Sequence, residues 1–432
     1  MAQPPALYRL YRRLTPLLLP LAWRSVSRRL GDHGVSALRA GERLGHASLP
    51  RPSGRLIWFH AASVGESLSV LQLITVMGKR LPDTEFLITS GTATSAELVA
   101  KRLPPRSRHQ FAPLDAPAPV RRFLDHWRPA AALFVESELW PLMIVETSDR
   151  GVPLALVNAR LSQKSVESWR KWPKTSRFIF NRFALLLAPN RQTADDLIAL
   201  GAPADRVGLS VNLKATSAPP PVDADLVADL RKTIGKRPIW LASSTHPGEE
   251  EIVLAAYHRL LASHPDLLLI LAPRHPERGD EVAGLITKAG HSTARRSTGE
   301  RVTPDTQVYL ADTLGETGSW YSLAPFAFLG ATLADKGGHN PIEPAQFGVP
   351  LIVGPSRANN RAAFEALSLA GGLAEVSDAA TLASAVARWL DDPAALKQAQ
   401  AGARRLVRDQ DSALQDIAAR LCAALHLEPG DA

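Results

Sequence analysis

The chain has 432 residues, a hydrophobic content of 45% and one cysteine, Cys422. This length exceeds what one ordinary core supports, so two domains of about 200 residues each are predicted. A single cysteine excludes an internal disulfide framework and a cysteine-rich metal site, and it is typical of a reducing compartment. Most of the net charge of +8 comes from residues 1–50, which hold eight arginines and two acidic residues. The body of the chain is therefore not predicted to bind nucleic acid.

Residues 7–30 mix arginines with leucines and aromatic residues. The apolar centre, residues 14–23, is interrupted by Pro16 and Pro20 and is shorter than the ~20 apolar residues that a spanning helix needs. Arginines on both sides and the lack of a small-residue cleavage site argue against a secretory signal. The pattern predicts a basic amphipathic segment, residues 1–48, that lies on an anionic membrane surface. A helix that packs on its own domain is the alternative.

Short apolar runs alternate with helix-like runs from residue 55 onward, which predicts βαβ units and parallel sheets. The predicted strands lie near residues 55–60, 84–89, 131–136, 153–157, 183–188 and 206–211, and then near 238–243, 267–272, 307–311, 326–330, 350–353 and 373–376. A proline-rich stretch predicts a linker over residues 215–236. The predicted fold class is therefore α/β, with two Rossmann-like domains, residues 49–214 and 237–432, facing each other across a cleft. The second domain is predicted to end in helices.

Four short motifs each follow a predicted strand and open a predicted helix. They are Ser63-Val64-Gly65-Glu66, His246-Pro247-Gly248-Glu249, Thr313-Leu314-Gly315-Glu316 and Asn340-Pro341-Ile342-Glu343. In the last one, Asn340 is predicted to cap the helix and Pro341 to take its first position. Helix N-termini bind anions because their first N–H groups are unpaired, so this pattern predicts a nucleotide-phosphate site. A glutamate at this place is also explained, for any single motif, as a capping partner.

Signals for a bound metal are weak. The acidic pairs Asp223/Asp225 and Asp409/Asp411 lie in the predicted linker and in the helical tail, where solvated side chains are expected. Three histidines, His246, His275 and His339, lie in predicted loops and can form a zinc cluster only if the fold brings them together. No metal and no cofactor are predicted.

Several ordered motifs, taken together, resemble those of the bacterial transferases of 3-deoxy-D-manno-octulosonic acid (Kdo). They lie at residues 58–66, 136–141, 158–162, 212–214, 244–249, 273–278, 312–316 and 337–344. The resemblance runs from the basic N-terminal segment to about residue 355. It implies the GT-B fold and the inverting transfer of Kdo from CMP-Kdo to the lipid A precursor, at the cytoplasmic face of the inner membrane.

The resemblance also implies roles for single residues. The general base of the family falls on Glu66, and the two residues that stabilise the transition state fall on Glu136 and Lys214. The CMP contacts of the family fall on Pro273, Arg274, Leu314, Gly315, Glu316, Asn340, Pro341, Ile342 and Glu343. The chemistry agrees with these residue types, because a carboxylate can accept the proton of the attacking hydroxyl and an arginine can neutralise the phosphate. Ala331 and Val211 stand where the family usually has glycine, which affects the expected loop geometry.

Two other functions are compatible with parts of the pattern. A glycosyltransferase or epimerase of the same fold that uses a UDP-sugar would share the strand-end motifs, since contacts to the base cannot be read from the sequence. A membrane-bound scaffold that retained a nucleotide fold would need none of the catalytic residues. The oligomeric state, the number of Kdo residues transferred and the acyl pattern of the acceptor are not encoded in these motifs.

Overall fold

The computed structural model describes residues 3–213 and 219–428. The chain forms two compact units. Unit 1 contains Met1–Ser217 and Asp411–Ala432, and unit 2 contains Ala218–Gln410. Lys214 and the first four residues of the predicted linker, 215–218, lie outside the described residues.

Unit 1 contains a seven-stranded sheet in which all neighbouring strands are parallel. Its strands, in chain order, are β1 Arg55–His60, β2 Thr84–Ser90, β3 Ser107–Phe111, β4 Ala131–Val135, β5 Leu154–Val157, β6 Phe183–Ala188 and β7 Val207–Leu209. They lie in the order β3-β2-β1-β4-β5-β6-β7 across the sheet.

Helices cover both faces of this sheet, which is why most of its strands are apolar. The helices are α1 Ala6–Asp32, α2 Ala37–Ala40, α3 Val64–Arg80, α4 Ala93–Ala100, α5 Pro117–Trp127, α6 Pro141–Ser148, α7 Gln163–Arg170, α8 Pro173–Phe180 and α9 Arg191–Ala199. Successive residues of β1 point to opposite faces. Trp58 packs in one core cluster with α5 and α6, whereas Phe59 packs in a second cluster with α3.

Unit 2 repeats this architecture with a second seven-stranded parallel sheet in the order β10-β11-β9-β8-β12-β13-β14. Its strands are β8 Ile239–Thr245, β9 Leu268–Pro273, β10 Thr293–Arg295, β11 Val308–Leu310, β12 Ala327–Leu329, β13 Leu351–Val353 and β14 Leu373–Glu375. The remaining helices are α10 Ala224–Ile234, α11 Glu249–Leu260, α12 Gly279–Lys288, α13 Thr317–Leu323, α14 Ile342–Ala345, α15 Arg361–Leu369, α16 Ala379–Asp391 and α17 Pro393–Ala424.

All twelve predicted strands are present, but the sequence analysis missed β3 and β10. The sequence of β3 is polar, and two of its buried side chains form hydrogen bonds with other buried side chains. Ser90 Oγ lies 2.8 Å from His109 Nε2, and Trp127 Nε1 donates to Gln110 Oε1 over 2.8 Å. Buried polar groups with partners break the apolar pattern on which strand prediction depends. The other missed strand, β10, has the sequence Thr-Ala-Arg, of which only Ala294 is buried, so it lacks an apolar run.

Two predicted boundaries differ from the observed units. Helix α10 forms inside the predicted linker, because the Asp223 side chain accepts from the Leu226 N–H over 3.0 Å and the helix buries Leu230 in the unit 2 core. The end of α17 packs in unit 1, although residues 237–432 were predicted to form one domain. Leu414, Ile417 and Leu421 recur at helical spacing and bury their side chains in the second core cluster of unit 1.

Helix α1 packs against its own unit through one face. Tyr8 is buried there, and the Tyr11 hydroxyl donates to Asp115 Oδ2 over 2.8 Å. Five leucines on the rest of the helix remain exposed, and we call them the leucine stripe: Leu10, Leu14, Leu17, Leu18 and Leu21. In the described part of the chain, no helix is long and apolar enough to cross a membrane.

Candidate functional site

The motifs that carry chemistry lie at the carboxyl ends of parallel strands in both units. In unit 1 the strand order changes direction between β1 and β4, and in unit 2 it changes direction between β8 and β12. Open α/β sheets bind ligands outside the carboxyl ends of the strands at such a switch point. Glu66 and Glu136 follow the two strands at the switch point of unit 1, and His246 and His339 follow the two at that of unit 2.

Glu66 lies in the first turn of α3 and is buried. Ser63 caps this helix, because its Oγ accepts from the Glu66 N–H over 3.3 Å. In return, the Glu66 carboxylate accepts from the Ala62 N–H over 2.9 Å and from the Ser63 hydroxyl over 2.8 Å. The predicted capping arrangement is therefore present, and it fixes the position of the carboxylate at the switch point of unit 1.

Glu136 follows β4 in a left-handed backbone conformation with a φ of 55°, and its neighbour in space Asn158 has a φ of 52°. Both residues are buried. Asn158 Nδ2 donates to Glu136 Oε1 over 3.2 Å, and Asn158 Oδ1 accepts from the Leu213 N–H over 3.4 Å. Asn158 therefore links the Glu136 carboxylate to the residue that precedes Lys214. The sequence analysis assigned no role to Asn158, although asparagine is a residue that tolerates left-handed backbone.

A second carboxylate after β4, Glu138, interacts with a buried histidine that the sequence analysis did not single out. His60 Nε2 lies 3.2 Å from Glu138 Oε2, and its Nδ1 lies 3.0 Å from the Thr89 hydroxyl. Burial acts to raise the pKa of Glu138, but the His60 ring, the Trp140 indole N–H and the Arg43 charge together hold it below its ordinary value. Glu138 is therefore not a solvated strand-end residue.

Glu249 organises the loops at the switch point of unit 2. Its buried carboxylate accepts hydrogen bonds from five backbone N–H groups, those of His246, Ala331, Thr332, Leu333 and Ala334, over 2.8–3.1 Å. The loop after β8 and the loop after β12 are thus held by one charged side chain. Ala331 has a φ of 63°, which explains why glycine suits this position better.

A small pocket of about 50 Å³ lies at the carboxyl edge of the unit 2 sheet. Four of the predicted CMP contacts line it, together with Ser243 and Ser244: Pro273, Arg274, Leu314 and Gly315. The Arg274 side chain is exposed, and among the described residues it forms no ion pair with a carboxylate. The expected partners are engaged elsewhere, since Glu277 contacts His275 over 3.3 Å and Asp280 contacts Arg295 over 2.5 Å.

Glu316 differs from the simple expectation of a free acceptor for ribose. Arg296 donates to its carboxylate from Nε over 3.1 Å and from Nη2 over 2.6 Å, and the Thr313 hydroxyl donates to Oε2. Burial acts to raise the pKa of Glu316, but these bonds hold it below its ordinary value. The carboxylate is therefore ionised and is fixed beside the pocket-lining residues Leu314 and Gly315.

The segment Asn340–Glu343 begins a helix, but not as predicted. Helix α14 has four residues and begins at Ile342, so that Pro341 is its N-cap rather than its first residue. The reason is local: Asn340 Oδ1 accepts from the Ile342 N–H, two residues along, over 3.1 Å. The Ile342 side chain lies in the core, and its backbone carbonyl accepts from the Gln346 N–H over 3.0 Å. A helix of four residues has only a small macrodipole. The structure therefore gives less support for an anion site at this motif than the sequence pattern does.

Glu343 acts electrostatically on Tyr321, whose hydroxyl contacts a residue that lines the pocket. The Tyr321 hydroxyl lies 2.9 Å from Ser243 Oγ, and Ser243 lines the pocket. Burial first, and then the negative charge of Glu343, raise the pKa of Tyr321 above its ordinary value. The predicted CMP residues after β9, β11 and β12 are thus found around one edge of the unit 2 sheet.

The fold does bring the three loop histidines together. The His246 and His339 rings contact each other, and the His275 ring lies edge-on to His246 with a centroid distance of 5.7 Å. Even so, within residues 3–213 and 219–428 no group of three or more His, Cys, Asp or Glu side chains is arranged to hold a metal ion. Asp223 of the first acidic pair is the N-cap of α10.

Comparison with known proteins decides the family. Residues 38–217 match the family described as 3-deoxy-D-manno-octulosonic-acid transferase (kdotransferase). The chain is 36% identical to the probable mitochondrial 3-deoxy-D-manno-octulosonic acid transferase of Arabidopsis thaliana, over 94% of this chain and 93% of that protein. It is also 36% identical to the 3-deoxy-D-manno-octulosonic acid transferase of Haemophilus influenzae, over 78% of each. The chain belongs to the Kdo transferase family.

This Kdo transferase is a glycosyltransferase of the GT-B type. Its fold is similar to a glycosyltransferase from Rickettsia africae, with a TM-score of 0.54 and 11% identity over 87% of this chain and 100% of the other. A putative UDP-N-acetylglucosamine 2-epimerase from Listeria monocytogenes gives 0.53 and 14% over 87% and 98%. The C-terminal CMP-Kdo binding domain of WaaA from Acinetobacter baumannii is 34% identical over 43% of this chain and 97% of that domain, with a TM-score of 0.41.

These findings confirm the predicted family, enzyme class and α/β fold. They leave the scaffold hypothesis without support, because the chain is a glycosyltransferase. The likeness to the epimerase, at 14% identity, shows a common fold only and does not favour a UDP-sugar.

We predict that Glu249→Gln destabilises the Kdo transferase by about 3 kcal/mol. In glutamine, an NH₂ group replaces one carboxylate oxygen and faces backbone N–H donors. Hydrogen bonds to a buried charge are therefore lost, and the NH₂ group and the backbone N–H groups point at each other as donors. Urea denaturation followed by circular dichroism measures this change.

The matched control is Glu251→Gln, two residues along on the same helix, where the side chain is exposed. This variant is expected to remain within about 0.5 kcal/mol of the wild type. Equal stability of the two variants would show that the five-bond arrangement contributes little.

Proposed function

We propose that this Kdo transferase moves Kdo from CMP-Kdo to the lipid A precursor in lipopolysaccharide biosynthesis, with inversion at the anomeric carbon. One observation supports the proposal: the switch point of unit 1 presents carboxylates, whereas that of unit 2 presents a cationic side chain. Unit 1 presents the buried carboxylates Glu66 and Glu136, whereas unit 2 presents Arg274 at a polar pocket. A base for the acceptor hydroxyl and a cationic site for the leaving phosphate are the two requirements of this reaction.

Glu66 is the proposed general base. Its carboxylate already accepts two hydrogen bonds, from the Ala62 N–H and the Ser63 hydroxyl. An ionised carboxylate has about four lone-pair sites, so it can accept a further bond from a sugar hydroxyl and then take its proton. The two existing bonds hold the carboxylate in place before the acceptor binds, so the base does not need to reorganise during the reaction.

Glu136 and Lys214 are proposed to stabilise the transition state. Positive charge develops on the Kdo ring as CMP departs, and a fixed carboxylate such as Glu136 stabilises that charge. Asn158 holds this carboxylate and also the backbone N–H of Leu213. A lysine at position 214 would supply a point charge to the phosphate or the Kdo carboxylate.

Inversion follows from a single displacement. When a base activates the acceptor hydroxyl and that oxygen attacks the anomeric carbon directly, the configuration is inverted, whereas a covalent enzyme intermediate would retain it. The bond from the anomeric carbon to the CMP phosphate breaks as the bond to the acceptor oxygen forms, and the hydroxyl proton passes to Glu66. The proposal assigns the phosphate charge to Arg274 and backbone N–H groups rather than to a metal ion.

The unit 2 pocket is the proposed CMP site. Arg274 is exposed there without a carboxylate partner among the described residues, so its guanidinium is free to donate two parallel bonds to phosphate. Pro273, Leu314 and Gly315 would then contact the nucleoside through backbone and apolar surface. Glu316, Asn340, Pro341, Ile342 and Glu343 complete the proposed set.

We predict that Glu66→Gln lowers kcat at least about 100-fold while it leaves the Kd for CMP within about twofold of the wild type. Glutamine can keep the capping bonds of α3, so the change removes the base with little effect on the helix. Transfer to a lipid A precursor is followed by product mass, and CMP binding by calorimetry.

Glu97→Gln is the control, because Glu97 is an exposed residue of α4 that pairs with Lys101 over 2.9 Å. Transfer by this variant is expected to equal that of the wild type. Undiminished transfer by Glu66→Gln would remove Glu66 from the mechanism, and absence of any transfer by the wild type would remove the proposed reaction.

We predict that Arg274→Gln weakens CMP binding at least about tenfold, because a charged hydrogen bond to phosphate is lost. Binding of cytidine, which lacks the phosphate, is expected to change little. Calorimetry with CMP and UDP in parallel also tests the base, since a UDP-sugar enzyme would bind UDP more tightly.

The matched control is Arg301→Gln, an exposed arginine of unit 2 that does not line the pocket. An equal loss of CMP affinity in both variants would indicate a general effect of charge, and no loss in either would exclude Arg274 from the donor site.

The membrane surface at the cytoplasmic face is the proposed site of action. The leucine stripe of α1 is 43–74% exposed and lies among the arginines of the N-terminal segment. Such a face can enter the interface of an anionic bilayer while its arginines bind headgroups. A lipid-borne acceptor would be reached from that position. Deletion of the segment would be a poor test, because Tyr8 and Leu30 of the same helix are buried.

We predict that the triple change Leu17→Gln, Leu18→Gln and Leu21→Gln lowers binding to phosphatidylglycerol vesicles at least about tenfold, because each leucine contributes apolar area. Vesicle sedimentation measures the effect. Leu38→Gln, at a leucine of α2 with a similar exposure of 69%, is expected to bind like the wild type. Vesicle binding unchanged by the triple substitution would contradict a membrane role for the stripe.

A further inference from the structure

His246 and His339 form a directly contacting pair at the switch point of unit 2. Their Nε2 atoms lie 3.0 Å apart, and their ring planes are within 12° of parallel. The ring centroids are 5.1 Å apart, farther than the nitrogens, so the rings meet through their Nε2 edges. One ring must therefore donate an Nε2–H to the other, which a pair of neutral imidazoles can do. The pair joins the loop after β8 to the loop after β12.

Basic side chains lie near this pair. Arg274, His275 and Lys336 each act electrostatically on His246, and Arg274 and His275 act in this way on His339. The one carboxylate that faces the pair is Glu249, and its oxygens already accept five backbone N–H groups. Arg274 and Lys336 thus bring two positive charges near the pair, and a further carboxylate, Glu277, contacts His275 over 3.3 Å. This is the chemistry of an anion site.

The free protein keeps the pair neutral. Burial first, and then the charges of His246 and Arg274, lower the pKa of His339 to about 4, while a hydrogen bond to the Ser244 backbone acts the other way. Burial also lowers the pKa of His246, against the raising effect of Glu249. An anion placed among these groups would cancel the neighbouring positive charges and favour a protonated ring.

The pair also borders the proposed CMP pocket. Ser244, whose backbone bonds to His339, lines that pocket, and so does Arg274. We propose that the His246–His339 pair is an anion-binding element of the donor site that takes up one proton when the nucleotide phosphate binds. This inference rests on the proposed CMP site and adds residues to it that the family resemblance did not supply.

The proton comes from solvent and adds to the free ring nitrogen of one histidine. The product is an imidazolium that still donates to its neutral partner, and such a charge-assisted bond is stronger than the neutral one. The protonated pair then carries one positive charge toward the phosphate. The N–H bond that forms is the one covalent change, and it breaks again when CMP leaves and the proton returns to solvent.

The test is calorimetric titration of the full chain with CMP at pH 7.5, in two buffers of different ionisation enthalpy, with EDTA present. The phosphate of CMP, with a second pKa of about 6, is almost fully ionised at this pH and takes up little proton itself. Wild-type protein is expected to take up close to one proton per CMP bound, and cytidine none. The affinity for CMP should then fall up to about tenfold per pH unit as the pH is raised from 7.5.

Variants assign the proton to the pair. His246→Gln and His339→Gln are each expected to weaken CMP binding about tenfold and to abolish both the proton uptake and the pH dependence. His258→Gln, an exposed histidine of α11 outside the cluster, is the matched control and should keep both. Thermal denaturation of each variant identifies any loss of folding.

The outcomes are distinct. CMP binding without buffer dependence in the wild type overturns the pair as a proton acceptor but leaves the CMP site in place, and so does equal uptake with cytidine. Proton uptake that persists in both His246→Gln and His339→Gln would also overturn the pair as the proton acceptor and leave the CMP site in place. Absence of CMP binding to the wild type overturns the proposed donor site and this inference with it. The wild-type measurements decide the question even if a variant fails to fold.

Discussion

The carboxylate of Glu249 is the interaction on which the candidate donor region of unit 2 depends. A single ionised side chain ties together the backbone after β8 and the backbone after β12. The strands themselves end before these loops, so sheet hydrogen bonds do not fix them. With the carboxylate in place, Ala331 is held in left-handed backbone and the two loops bring His246 and His339 into contact. The price in desolvation of a buried charge is offset by its complete set of hydrogen bonds.

Unit 1 uses the same device with a different result. Glu66 also bonds to backbone at the start of a helix, but in the described part of the chain two donors reach its carboxylate, the Ala62 N–H and the Ser63 hydroxyl. Its remaining lone pairs are open to a ligand. The two glutamates therefore share a place in the strand-turn-helix unit and differ in how much of their capacity the protein uses. The Glu249 carboxylate holds the loops of unit 2 in place, whereas the Glu66 carboxylate is proposed to act as the general base.

Much of this could be predicted because the apolar strand pattern is strong. Every predicted strand exists. Strand β3 was missed because it contains hydrogen-bonded polar residues, and β10 because its sequence, Thr-Ala-Arg, has no apolar run. The grouping of Pro273, Arg274, Leu314 and Gly315 also agrees with the prediction. The role of Asn158 and the contact of His246 with His339 could not be predicted, because each joins loops far apart in the sequence. The start of α14 was misplaced by one residue, since asparagine bonded two residues along rather than three.

The leucine stripe of α1 has a consequence for handling the protein. Five exposed leucines on one helix form a surface that copies of the chain can bury against each other when no bilayer is present. In plain buffer such self-association would mask the face and raise the apparent mass. The apparent mass, measured by size-exclusion chromatography with and without a mild detergent, would distinguish self-association through this helix from a stable quaternary structure.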